Sequence, residues 1–129
     1  MHNIFLSLAG LIGAGTAIFH GIVTQKLMVR PIDRQLADAP NVSQTIRRIV
    51  PPLLHYSTYS WLVGGIALIV AANVEEAQAR LAIGLLVGSM FFYGAVANLW
   101  ATRGRHPGWL LMALACVLIA AGLLTAAPS

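Results

Sequence analysis

Residues 4–23 read IFLSLAGLIGAGTAIFHGIV, an apolar run without one Asp, Glu, Lys or Arg. At about 1.5 Å of rise per residue, a helix of this length covers the ~30 Å hydrocarbon core of a bilayer. Three more runs of the same kind follow: LLHYSTYSWLVGGIALIVAA at 53–72, LAIGLLVGSMFFYGAVANLW at 81–100 and WLLMALACVLIAAGLLTA at 109–126. Every charged side chain falls in the connections between them. The pattern predicts an all-α integral membrane protein: one domain over residues 1–129, a four-transmembrane-helix up-down bundle.

The composition agrees. Of 129 residues, 58% are hydrophobic and only 9% charged, too few to furnish the polar shell of a soluble domain. Mean hydropathy is +0.78. Four spans consume nearly the whole chain, so chemistry has to come from residues between the helices or from the 24–52 connection. No nucleophile–base pair can be assigned from the spacing, and the reading taken is non-enzymatic.

The net charge is +4. Its distribution sets an orientation. Lys26, Arg30, Arg34, Arg47 and Arg48 lie in the first connection and Arg103 and Arg105 in the third, while the second holds Arg80 beside Glu75 and Glu76. The positive-inside rule places the first and third connections in the cytoplasm and both termini outside it, in a bacterial inner membrane. These cations orient the chain and meet anionic lipid headgroups, and no aromatic-interleaved basic tract points to nucleic acid. Met1, His2 and Asn3 bring no basic segment before the first run, which reads as a retained span and not a cleaved signal.

The 24–52 connection is the one sizeable loop. Proline disfavours helical dihedrals in the residue before it, so Val29, Arg30 and Pro31 predict an end or a kink of the first helix. Residues 38–41 (DAPN) read as a turn, with Asn41 or Ser43 capping a short interfacial helix up to Val50. Ile46 and Ile49 would then lie on the membrane while Arg47 and Arg48 reach phosphates, and Pro51 and Pro52 would reset the chain direction. Gly104, Pro107 and Gly108 form the turn between the last two spans, bracketed by Trp100 and Trp109 at interfacial depth.

Small residues recur at helical spacing: Gly10 and Ala14, Gly13, Ala17 and Gly21, Gly84 and Gly88, and the strip Ala113, Cys116 and Ala120. They allow close helix packing within one chain or in a homodimer. Cys116 is the sole cysteine and reads as a packing residue.

One polar constellation stands out. His20 is three residues from the end of the first run, and His55 is the third residue of the second. Antiparallel helices bring both to similar depth near the cytoplasmic face. Tyr59 is one turn beyond His55, and Asn98 returns to the same level on the third span. Intramembrane histidines need partners. His20, His55, Tyr59 and Asn98 are thus the candidate ligand-binding set, and several readings stay open. The histidines can simply lock the bundle by hydrogen bonds. They can be axial ligands of a haem b, with Arg47 or Arg48 on its carboxylates. They can hydrogen-bond a quinone or another amphiphile, with Trp61, Phe91 and Phe92 as apolar walls. Copper or zinc would have only two imidazoles, fewer than a closed zinc site uses. A small dimeric transporter or channel would use a histidine as its proton carrier, since no acid lies in a span. The reading carried forward is an accessory or ligand-binding bundle with the bilayer, a second copy or a larger membrane complex as partner.

Overall fold

The structure, a computed structural model, describes residues 2–125. Ala126, where the fourth apolar run was placed to end, lies outside the described residues. The helices are α1 (His2–Thr24), α2 (Arg30–Ala37), α3 (Gln44–Ala71), α4 (Ala77–Thr102) and α5 (Gly108–Leu124), with a π-helical segment (Gln25–Val29) joining α1 to α2. Three helices, one of them the continuous Asn3–Ala37, are long and apolar enough to cross a membrane. The fourth, α5, has 17 residues. At ~1.5 Å per residue it falls about 5 Å short of a 30 Å hydrocarbon core.

The 24–52 connection differs from its sequence reading in three places. Pro31 does not end the first helix. It lies just after the π segment in the continuous 3–37 helix, and that segment carries the register change, with Arg30 N–H donating to Gln25 O. Nor do Pro51 and Pro52 reset the chain: both lie inside α3, which runs unbroken from Gln44 to Ala71. The short interfacial helix is thus the first turns of a long one. The turn and the cap stand as read. Residues 38–43 are non-helical, and Ser43 Oγ accepts from Ile46 N–H at 3.4 Å. Arg47 does not reach outward to phosphates. Its guanidinium donates to Ala37 O at 3.0 Å and Ala39 O at 2.7 Å, tying the end of α2 to α3. Two helices clamped at their tip thus form a basic hairpin.

The other end of α4 follows its glycine. Arg103 (φ 50°) and Gly104 (φ 75°) are left-handed, and Gly104 N–H donates to Leu99 O at 3.0 Å. The indole of Trp109 then donates to Gly104 O at 3.2 Å.

α1, α3, α4 and α5 form a square, each antiparallel to its sequence neighbour, with α5 closing back on α1. The closest seam is α1 on α3. A Cβ on Gly10 would stand 2.5 Å from Gly65 O, and one on Gly65 would stand 2.7 Å from Ala14 N, so the two backbones touch. Phe91 of α4, fully buried, fills the centre of the square against Gly13 and Gly64. Leu123 lies on Gly84, and Cys116 Sγ is 3.7 Å from Gly88 O, which joins α4 to α5.

Polarity is inverted relative to a soluble bundle. Ile4, Leu11, Ile18, Ile66, Leu85, Leu86, Phe92 and Val117 are each more than half exposed, whereas Thr16, Thr24 and Arg80 are buried. Apolar surface of this extent has lipid as its natural solvent. Helix association there depends on close contact, since lipid tails are as apolar as leucine. Gly65→Val is therefore expected to destabilise the bundle by about 3 kcal/mol through overpacking. Gly15→Ala, whose Cβ meets nothing within 4 Å, is expected to change stability by under ~0.5 kcal/mol. Reversible unfolding in mixed detergent micelles measures both.

Candidate functional site

α3 and α4 touch less closely than α1 and α3, because rings separate them. The indole of Trp61 packs on Gly94, where a Cβ would stand 2.6 Å from Cζ2, and Phe91 packs on Gly64 and Gly13. Above and beside Trp61 a lateral cleft of about 540 Å³ opens between the two helices. On α3 it is lined by two adjacent rows one turn apart, Tyr56 with Ser60 and Ser57 with Trp61. On α4 two rows face them: Ser89, Tyr93 and Ala97, and Met90, Gly94 and Asn98. His20 of α1 completes the lining.

Of the four residues singled out from sequence, the fold brings two into this cleft, His20 and Asn98. Two hydroxyls converge on His20 Nε2, Ser57 Oγ at 3.1 Å and Thr24 Oγ1 at 3.2 Å. The His20 ring also lies 4.6 Å from that of Trp61 at a 50° tilt. Asn98 donates one amide hydrogen to Gly94 O at 2.9 Å, within its own helix. His55 is placed elsewhere. Its Nε2 pairs with Gln25 Oε1 at 2.8 Å, joining the π segment to α3. Tyr59 is 65% exposed on the outer face of α3. Of the apolar walls suggested by sequence, Trp61 belongs to the cleft, Phe91 to the bundle centre and Phe92 to the outer surface. Ser89, Met90, Gly94 and Ala97 were not singled out. Their signal is the i, i+4 spacing that each shares with another lining position of α4, readable once α3 and α4 are taken as neighbours.

A third imidazole, His106, stacks on Phe19 with centroids 6.0 Å apart. Its Nδ1 accepts from Gly108 N–H at 3.1 Å, and its backbone N–H donates to Thr102 Oγ1 at 3.4 Å. It caps the start of α5.

Haem held by His20 and His55 does not fit this arrangement. The porphyrin would have to stand between α1 and α3, whose backbones meet at Gly10 and Gly65 and where a Cβ on Gly21 would lie 2.8 Å from the Thr58 methyl. Both Nε2 atoms are also bonded to other side chains. Among the described residues, no group of three or more His, Cys, Asp or Glu is placed to hold a metal ion.

Comparison with protein families, curated proteins and solved structures finds no match to the chain.

The Gln25–His55 bond spans the only point where the π segment is fastened to α3 by a side-chain hydrogen bond among the described residues. Gln25→Leu removes it and leaves an imidazole without that partner. The expected loss is about 1 kcal/mol of stability, read by thermal unfolding in detergent.

Proposed function

We propose that the chain spans a bacterial inner membrane four times, with both termini outside and the 24–52 hairpin and 103–107 turn in the cytoplasm. It works there as a non-enzymatic ligand-binding bundle whose site is the α3/α4 cleft. The observation that carries this reading is the cleft itself, which opens sideways where lipid would surround the bundle. Its volume falls within the roughly 300–1,000 Å³ typical of small-molecule sites, and its lining combines apolar surface with a few polar groups.

Depth supports the polar site near the cytoplasmic interface. Counting from the ends of the apolar runs, Asn98, His20 and Ser57 lie ~3, ~4.5 and ~6 Å inside the hydrocarbon, and Ser89 lies about 16 Å deep. The orientation follows from charge, since every Lys and Arg except Arg80 lies at the hairpin end. α5 counts as a span because it packs along both α1 and α4, although it is short. Binding is favoured over conduction because Phe91 closes the centre of the square against Gly13 and Gly64. The exposed apolar faces suit a lipid annulus or a second copy.

Two measurements test the reading. With Cys116→Ser as background, Asp38→Cys is expected to react with an impermeant maleimide only from the cytoplasmic side, and Glu75→Cys only from the outside. Labelling of both from one side would refute the topology. Extracted gently from its membrane, the protein is expected to retain a lipid-sized mass in native mass spectrometry, which also counts the chains. Ala97→Leu, which puts a side chain into the cleft, is expected to lose that mass while still folding. A bare chain mass in the unsubstituted protein would remove the ligand-binding reading.

A further inference from the structure

The lining of the cleft restricts what can occupy it. None of its residues is an Asp, Glu, Lys or Arg. A phosphate or carboxylate seated there would lose its hydration with no counter-charge, at a cost of many kcal/mol. That argues against phospholipid headgroups and fatty acids and leaves uncharged amphiphiles.

The same lining holds polar capacity that the protein does not use. Ser60 makes no hydrogen bond to any described residue, although its helix lies at membrane depth. Asn98 commits one amide hydrogen to Gly94 O and retains its second. When the Ser57 and Thr24 hydroxyls both donate to His20 Nε2, the ring proton sits on Nδ1 and makes His20 a donor too. In hydrocarbon, groups of this kind require partners. The open donors suit a ligand that brings acceptor oxygens, and Asn98 Oδ1 and the Ser60 oxygen keep acceptor capacity beside them.

Shape narrows the class further. The cleft is a slot between two helices, bordered by the rings of Trp61, Tyr56, Tyr93 and His20. Flat rings stack in such a slot, and offset or tilted stacking adds to what area burial alone gives. Along α4 the slot runs from Asn98 down to Ser89, nine residues or about 13 Å of helix. Its shallow end holds Asn98, His20 and Ser57, and its deep end passes Met90 toward the bilayer centre.

We infer that the cleft binds an uncharged, flat-ringed amphiphile of the isoprenoid-quinone class, with carbonyl oxygens facing Ser60, Asn98 and His20. Its chain runs past Met90 toward the bilayer centre. This rests on the reading of the cleft as a ligand site and names what that site takes.

Trp61 supplies the test, because it lines the cleft while Trp100 and Trp109 do not. Trp100→Phe with Trp109→Phe leaves Trp61 as the sole indole of the three. In nanodiscs of zwitterionic phospholipid, this protein is titrated with a decyl-chain benzoquinone. Saturable quenching of Trp61 emission is expected. Ser60→Ala should weaken binding about fivefold, the worth of one hydrogen bond. Ala97→Leu should abolish saturation, and dioleoylglycerol should not displace the quinone. An organic extract of the purified protein should contain a quinone. Quenching that rises linearly, or that neither variant alters, would be collision in the bilayer and would overturn the inference. If dioleoylglycerol displaces the quinone and a glyceride is what the extract holds, the quinone class falls while the amphiphile site stands. If neither probe binds and the extract is empty, both readings fall together.

Discussion

The structure depends on one contact, the meeting of the α1 and α3 backbones at Gly10 and Gly65. In a bilayer, helices gain little by hiding apolar side chains from a solvent that is equally apolar, so contact area and shape decide which pairs close. α1 and α3 close fully because glycine faces glycine. α3 and α4 do not, because the large rings of Trp61 and Phe91 are seated on Gly94, Gly64 and Gly13. A bundle with one seam drawn tight and the next held apart by aromatic spacers has its gap on a determined side, and that is where the cleft lies. Its floor is His20, contributed by the helix on the tight side of α3.

Much of this is legible in the sequence. Charge-free runs place the cores of the helices, Ser43 marks the start of α3, and Gly104 marks the end of α4. Pro31 as a helix end, and Pro51 and Pro52 as a reset, were misread for a common reason. The local rule weighs a lost N–H and a steric clash against an isolated helix. In the folded chain, Pro31 falls just after a π segment, and Pro51 and Pro52 fall in a helix clamped at its tip by Arg47. The candidate site was half legible, and the missing half is a matter of azimuth. Residue number fixes depth along a helix, which is why His20 and Asn98, read at one level, both line the cleft. It does not fix which face meets the neighbour. Rows 56/60 and 57/61 face α4 in the cleft, and the adjacent row 55/59 turns away, carrying His55 to Gln25 and Tyr59 to the surface.

Arg47 shows how function-like residues become structural. On sequence it is one more interfacial cation. In the fold it donates to Ala37 O, where α2 ends, and to Ala39 O, which also accepts from Val42 N–H. The hairpin thus has its own fastening, independent of the glycine seam. Lys26, Arg30, Arg34 and Arg48 remain to give that end of the molecule its positive charge.

The paired prolines inside α3 have a further effect. Pro51 and Pro52 carry no N–H, so the carbonyls of Arg47 and Arg48, one turn earlier, lose their usual helical donors. An oxygen in that condition is tolerable in water or among headgroups and costly in hydrocarbon. The pair therefore acts as a waterline cut into the helix. Below it, from Leu53, the surface is apolar; above it the backbone itself asks for water. In a bilayer, settling deeper on this side would drown two bare carbonyls in oil, so backbone chemistry as well as side-chain hydropathy would limit how far the bundle sinks.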